Sequence, residues 1–419
     1  MKFRLDFSAL LLFGLAIGCG ETGTNAVQDA EGHSDAQADR DGARMDAGTD
    51  ALTDGGAVTC LENQKTPPFD LSLPGAGGNG VFDPDMEFDP ETERLWMAYS
   101  TVDGPPGNGK VSTHLSYSDD HGLTWCGGFV VNQSNDVATE DLPAGVTGSS
   151  AHWNNETATL VREPGASADK RWRLVWHRYL VVADGDADPS NDRRFMYGWL
   201  AQRQAATPEG LVEAPERKLF SGAAYYANAS IQAYNDAAPG GLPEMDWRSD
   251  PTLGSCLIFG EPGAIGTVSG LEMTSFCARS ATDTAVVLVS FDESGQSWTY
   301  RSTLLGPTEA KTFDPSYRGF NGVGLFPLDN DRVGLTATPT AENEYKGCVI
   351  FTLDLATGTL VDQDHDGPDV LFLLGPSTTP SVFHSGACDY NLANSSGLLV
   401  SEAHQTGVVF RIRATGTNL

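Results

Sequence analysis

Beyond residue 58 the hydrophobic positions come in short runs, broken by clusters of Gly, Pro, Asn and Asp. His114-Leu115-Ser116-Tyr117 alternates as a half-buried strand does, and Val286-Val287-Leu288-Val289 is a strand-like apolar run. Long amphipathic helical patterns are missing. This rhythm of short strands and turns predicts an all-β domain: a sandwich, a barrel or a propeller.

Internal recurrence decides among these. Five times a polar or carboxylate residue opens a short strand that turns into a second apolar run. The openings are Asp83-Pro84-Asp85-Met86, Asn155-Glu156-Thr157-Ala158, Glu261-Pro262-Gly263-Ala264, Asn321-Gly322-Val323-Gly324 and His384-Ser385-Gly386-Ala387. A third strand-like run follows each, for example Val349-Ile350-Phe351-Thr352. Such units predict a β-propeller of four-stranded blades. Five blades is the expectation. Six is the alternative, if the long insert at residues 223–255 belongs to a further blade. A strand around residues 69–73 would complete the last blade and close the ring.

The stretch Ser118-Asp119-Asp120-His121-Gly122-Leu123-Thr124-Trp125 has the form Ser-x-Asp-x-Gly-x-Thr-Trp after a strand. Its Ser and Asp side chains can bond nearby backbone N–H groups, Gly122 can take positive φ, and Trp125 can pack the turn onto the sheet. A looser copy lies at Ser290-Phe291-Asp292-Glu293-Ser294-Gly295-Gln296-Ser297-Trp298. These stretches resemble the Asp-box, or BNR repeat, of sialidase-like β-propellers, where it is a structural turn. Sialidase activity itself is not implied. That family grips a carboxylate with three arginines and carries a Phe/Tyr-Arg-Ile-Pro string near the start of its domain. Here the nearest string, Phe410-Arg411-Ile412-Arg413, lies at the other end and reads as the last strand.

Charge and cysteine narrow the setting. The 419-residue chain carries a formal charge of −30. That argues against a nucleic-acid partner and for a soluble domain kept in solution by charge. At the N-terminus, Lys2 and Arg4 precede an apolar run at residues 7–17, too short to span a bilayer comfortably. It ends in Ala16-Ile17-Gly18-Cys19. This resembles the lipobox of bacterial lipoproteins, which implies a signal peptide over 1–18, lipidation of Cys19 and a cell-envelope location. Gly20 follows the Cys, so the outer membrane is favoured, on either side. Residues 19–58 are rich in Asp, Ala, Gly and Thr and read as a disordered acidic linker. The folded domain is expected over 59–419, as a monomer attached to membrane through lipid only. Six further cysteines suggest disulfides in an exported chain. Cys256 with Cys277 is the favoured pair, because both sit in strand-like runs that could be neighbours. Cys348 with Cys388 and Cys60 with Cys126 follow by elimination.

In a propeller the first strand of each blade lines the central channel, so the opening residues converge at one mouth. On this register the set is Asp85 (or Asp83), Glu156, Glu261, Asn321 and His384. Three carboxylates from three blades suit glycoside hydrolysis, where one protonates the leaving oxygen and another activates water or attacks carbon. The arrangement resembles the five-bladed glycosidases related to arabinanases and fructosidases. That resemblance implies Asp85 as base, Glu261 as acid and Glu156 as modulator or substrate ligand. Aromatic residues stand near several of these positions, among them Trp153 and Phe320. Flat rings at a polar mouth suit sugar faces, so Trp153, Asn155, Asn321 and His384 are candidate substrate-binding residues. The same positions also read as core packing and strand-to-strand bonding, in which case the propeller binds a glycan or protein partner without catalysis. Glycoside hydrolysis requires no cofactor. Separately, Asp362-Gln363-Asp364-His365-Asp366-Gly367 has the Asp-x-Asp-x-Asp-Gly spacing of a calcium loop, although Leu373 stands where an EF-hand has Glu. Asp362, Asp364 and Asp366 are the candidate ligands of a structural calcium ion. Asp184-Gly185-Asp186-Ala187-Asp188 is a weaker string of the same kind.

Overall fold

The computed structural model describes residues 58–104, 109–142, 146, 148–183, 197–227, 229–280, 282–329, 332–341, 344–379, 382–404 and 409–419. The signal segment, Cys19, the acidic linker up to residue 57 and the string Asp184–Asp188 lie outside them.

Five antiparallel blades succeed one another along the chain. Blade 1 runs outward from Val81–Asp89 through Arg94–Asp103 and Lys110–Ser118 to Thr124–Asn132, with Cys60–Glu62 added at the rim. Blade 2 is Ser150–Arg162, Trp172–Ala183, Gly198–Ala205 and Arg217–Phe220. Blade 3 is Ile258–Thr267, Gly270–Ser280, Asp283–Asp292 and Ser297–Leu305. Blade 4 is Gly319–Asp329, Arg332–Ala341 and Cys348–Asp354, with Thr359–Leu360 and Val370–Leu374 both on its outer edge. Blade 5 is Val382–Asp389, Leu399–His404 and Val409–Ala414, and its fourth strand is Phe69–Asp70 from the start of the domain. The first strands contact one another in cyclic order, from blade 1 through blade 5 and back to blade 1. The ring therefore has five blades and closes with the segment expected from the sequence. The insert at residues 223–255 forms no sixth blade; it holds two short helices, Ala223–Ala227 and Ala229–Ala237.

The core is divided among the blade interfaces. Trp96, Leu115, Trp153 and Trp176 pack between blades 1 and 2, and Val175, Phe220, Phe259 and Met273 between blades 2 and 3. Leu288, Phe320 and Leu335 join blades 3 and 4, Phe326, Ile350 and Val400 join 4 and 5, and Met97, Leu399 and Ile412 join 5 and 1. Each sheet is apolar on both faces because each face meets a neighbour, which explains runs such as Val286 to Val289. Trp153, expected at the mouth, is part of this core. It is 4% exposed and packs on Trp199 and Tyr234.

The turn at residues 118–125 closes the hairpin between the outer strands of blade 1. Ser118 Oγ accepts the N–H of Gly122 at 2.8 Å, and Asp120 Oδ1 accepts the N–H of Thr124 at 2.7 Å. Trp125 is fully buried beneath it. The looser copy in blade 3 also closes a hairpin but with different bonds: Asp292 Oδ1 accepts the N–H of Ser294 at 2.9 Å, and the Ser290 hydroxyl donates to Glu272 at 2.7 Å. Three disulfides, Cys60–Cys126, Cys256–Cys277 and Cys348–Cys388, tie the sheets. The first holds the rim strand on blade 1, the second ties the end of the 223–255 insert, just past it at Cys256, to the second strand of blade 3, and the third joins blades 4 and 5.

Candidate functional site

All five inner strands lose register at the same level. The shift falls between Phe82 and Asp85, Glu156 and Thr159, Gly260 and Gly263, Asn321 and Gly324, and His384 and Cys388. A bulge of this kind leaves a residue out of the ladder and re-aims its side chain. Here the first bulged residues are Asp83, Thr157, Glu261 and Gly322, with φ of 51°, 47°, 47° and 54°. For the three that are not glycine this left-handed backbone costs about 1–3 kcal/mol each, a strain that concentrates where side chains must be aimed. In blades 1 and 3 the bulged carboxylate is followed by proline, Pro84 and Pro262. Proline has no N–H to leave unpaired where the ladder is broken.

The bulge turns Asp83, rather than Asp85, toward the centre of the ring. Asp83 Oδ1 accepts the N–H of Ala387 from blade 5 at 2.7 Å, and Oδ2 accepts the hydroxyl of Thr157 from blade 2 at 2.8 Å. A Cβ on Gly386 would lie 2.1 Å from Asp83 Oδ1, so only glycine lets this carboxylate in. Across the channel, Glu261 Oε2 accepts the N–H of Gly322, and Oε1 accepts the hydroxyl of Tyr345 at 3.2 Å. Asp83, Glu156 and Glu261 are 3%, 7% and 7% exposed. They are close enough that the charges of Asp83 and Glu156 add to burial in pushing Glu261 well above the usual carboxylate range. All three also act on Tyr345, whose phenol burial raises further. Burial lifts Asp83 only to about 6, because its two hydrogen bonds favour the ionised form.

The remaining expected residues divide. Asn321 belongs to the cluster: it is 8% exposed, its Nδ2 lies 3.5 Å from the Tyr345 hydroxyl, and its Oδ1 is buried without a partner. His384 is on the inner strand of blade 5, where its backbone pairs with Tyr345, and its ring nitrogen Nε2 lies 3.3 Å from the carbonyl of Gly375. Burial lowers its pKa. Asn155 faces away, into blade 2. Its Oδ1 accepts from Trp176 Nε1 at 3.1 Å and from Arg178 at 3.0 Å, and its Nδ2 donates to the carbonyl of Gln133.

Asp85 is placed differently from the base expected by sequence. Its Oδ1 accepts the N–H of Leu160 in blade 2 at 2.7 Å. Two neighbouring joints have the same form. Thr159 accepts the N–H of Ala264 in blade 3 at 3.0 Å, and Asp389 accepts the N–H of Met86 in blade 1 at 2.7 Å. Asp85 thus sutures one inner strand to the next, one layer below the mouth. Burial raises it to about 7, and Asp389 and Glu87 nearby are raised as well.

Tyr345 and Thr157 were missed by sequence reading. Tyr345 arrives on a two-residue strand, Glu344–Tyr345, that bridges blades 4 and 5 and matches no motif. The signal for Asp83 was present: Asp83-Pro84 and Glu261-Pro262 share an acid–proline pair, and aligning the prolines selects Asp83. In the acidic loop, oxygens of Asp362, Asp364 and Asp369 lie within 4.8 Å of one another. Asp369 takes the place expected of Asp366, whose own N–H bonds Asp364 Oδ1 at 3.4 Å.

No protein-family model and no curated protein matches this chain. Among solved structures, it is similar to a mutant GH32 beta-fructofuranosidase of Bombyx mori in complex with sucrose, at 12% identity and a TM-score of 0.42 over 84% of this chain and 62% of that one. It is similar to the arabinanase Arb43A of Bacillus subtilis at 10% identity and a TM-score of 0.41, over 81% of this chain and 94% of that one. An exo-beta-1,3-galactanase from Clostridium thermocellum gives 12% and 0.42, over 84% and 61%.

Proposed function

We propose that the domain binds a glycan at the channel mouth and hydrolyses it, with Asp83 as base or nucleophile and Glu261 as acid. The observation that carries this reading is the pair of bulged carboxylates from blades 1 and 3, held in one buried cluster but in unlike environments. Asp83, at about 6, is mostly ionised near pH 7, while burial, and then the charges of Asp83 and Glu156, push Glu261 well above the usual carboxylate range and so favour its protonated form. Separation of two carboxyl pKa values is what acid–base cleavage of a glycosidic bond requires. The charge of Glu156 adds to the upward push on Glu261, and Tyr345 orients the Glu261 carboxyl. The unpaired Oδ1 of Asn321 offers a sugar hydroxyl an acceptor.

The test is reducing-sugar release from a panel of polysaccharides by the wild type, Asp83→Asn and Glu261→Gln. The expected result is loss of turnover by about 100-fold or more in each variant with melting nearly unchanged. Glycan binding without product release in the wild type would favour a non-catalytic propeller. That rival is favoured by the bonds these carboxylates accept from neighbouring strands.

We also propose that the chain is an envelope lipoprotein carried by Cys19, on the strength of the sequence before it. Incorporation of labelled palmitate, lost in Cys19→Ser, checks this. The loop at Asp362, Asp364 and Asp369 is proposed as a structural calcium site, because three carboxylate oxygens already converge there.

A further inference from the structure

At the level of the mouth, blades 1 and 3 carry a carboxylate at the first bulged position and blade 4 a glycine, whereas blade 2 carries Thr157. That choice is costly. A β-branched residue at a φ of 47° is strained, while Gly322 takes the same kind of backbone freely at 54°. Thr157 is also buried. Two hydrogen bonds hold it there. Its N–H donates to Ser100 Oγ, on the second strand of blade 1, at 3.1 Å, and its hydroxyl donates to Asp83 Oδ2 at 2.8 Å.

The same joint recurs one blade back. Ser401, on the second strand of blade 5, accepts the N–H of Asp83 at 2.9 Å and donates its hydroxyl to the carbonyl of Ala387 at 2.7 Å. In both places a serine pins the bulged residue of the next blade by its backbone, and the side chain is left to be aimed. In blade 1 the aimed group is the Asp83 carboxylate. In blade 2 it is the hydroxyl that meets it. Asp83 is thus fixed at three points: its N–H by Ser401, Oδ1 by the N–H of Ala387, and Oδ2 by Thr157. Of the two bonds to the carboxylate, the one from Thr157 comes from a side chain.

We propose that Thr157 is a positioning residue for Asp83: held in its strained backbone by Ser100, it fixes the Asp83 carboxylate in the orientation in which that group serves as base or nucleophile. The inference rests on the hydrolytic reading above and adds a residue that acts through Asp83. A hydroxyl donated to a carboxylate makes a charge-assisted bond, which favours the ionised form. Burial raises Asp83, and the Ala387 N–H and the Thr157 hydroxyl both oppose it. The branched Cβ of threonine restricts rotation, so the hydroxyl stays aimed. Glu156, Glu261 and Tyr345 share the cluster, Asp85 lies two residues on along the same strand, and blade 5 brings His384, whose ring is 3.3 Å from the carbonyl of Gly375. All of these are common to wild type and to Thr157 variants, so a difference between them reports the hydroxyl.

The experiment titrates Asp83 directly, by carbon NMR of the full chain labelled at its aspartate carboxyls, with the signal assigned by its loss in Asp83→Asn. Wild type, Thr157→Val and Thr157→Ser are compared, together with their pH–rate profiles on whichever polysaccharide the wild type cleaves. The expected midpoint is about 6 in wild type. It should lie about one pH unit higher in Thr157→Val and within a few tenths of wild type in Thr157→Ser. The acid limb of the rate profile should move with it, and kcat at pH 6 should fall about tenfold in Thr157→Val with KM nearly unchanged. An unmoved midpoint in Thr157→Val, or a shift in Thr157→Ser as large as in Thr157→Val, would overturn the role of Thr157 whatever the activity. The expected midpoints in a protein that cleaves no polysaccharide would overturn the hydrolytic reading and leave the hold of Thr157 on Asp83 standing. Should Thr157→Val fail to fold, Thr157→Ala, which removes the hydroxyl and the branch together, takes its place with the same expected shift.

Discussion

Asp83 and Asp85 are two residues apart on one strand, and the chemistry assigned to each follows from its hydrogen bonds. Asp83 spans two blades at the bulge with two accepted bonds, and burial brings it to about 6. In the proposed role of base it must be ionised, so activity should rise with pH through about 6. It should fall again at higher pH as Glu261, raised by burial and by Asp83 and Glu156, loses its proton. A pH–rate profile checks both limbs, and an activity flat across pH 5–7 would deny Asp83 the role. Asp85 predicts a different readout. Its folded value, about 7, lies above the ordinary 3.8, so its contribution to stability is complete below pH 4 and is lost as pH rises through 7. Asp389 and Glu87, both also raised, add to that loss, and Arg162 opposes it at Glu87. Melting temperature should therefore decline from pH 4 to 8. Asp85→Asn, which keeps an acceptor for the Leu160 N–H, should flatten the decline.

Among the elements, the bulged inner strand explains what the sequence showed and what it hid. Alternation and recurrence revealed five strands opening on polar residues, because burial on both faces leaves that imprint. The bulge left none, since an extra residue outside the ladder changes no composition. It shifts the facing of every residue after it, which is why Asp85 aligned with Glu156 and Glu261 while Asp83 occupies the place. Trp153 and Asn155 were misplaced for a related reason: an aromatic–polar pair beside a mouth and one inside an interface read alike. The bulge depends on a close approach in blade 5. Gly386→Ala would push the Asp83 carboxyl from the Ala387 N–H. Activity should drop roughly 100-fold, the usual scale for a misplaced catalytic group, with the fold retained by circular dichroism. In the acidic loop of blade 4, calcium should raise the melting temperature. Asp369→Asn should abolish that rise, because its oxygen lies in the cluster with those of Asp362 and Asp364.

For the molecule as a whole, the apolar core lies at the boundaries between blades, so stability depends on what joins them. The Cys348–Cys388 disulfide spans one such boundary and closes a 40-residue separation. Its removal by paired serine substitution should cost about 2–4 kcal/mol in denaturant unfolding. The ring is fastened where Phe69 pairs with Ala414 and Asp70 with Arg413, and Arg411 reaches Asp70 at 2.6 Å. The two partners of that clasp stand at opposite ends of the domain's sequence. A chain emerging from a ribosome cannot fasten the clasp until the residues up to Ala414 are free. A stop codon placed before Val409 would thus leave an open, unlatched arc rather than a slightly shorter ring.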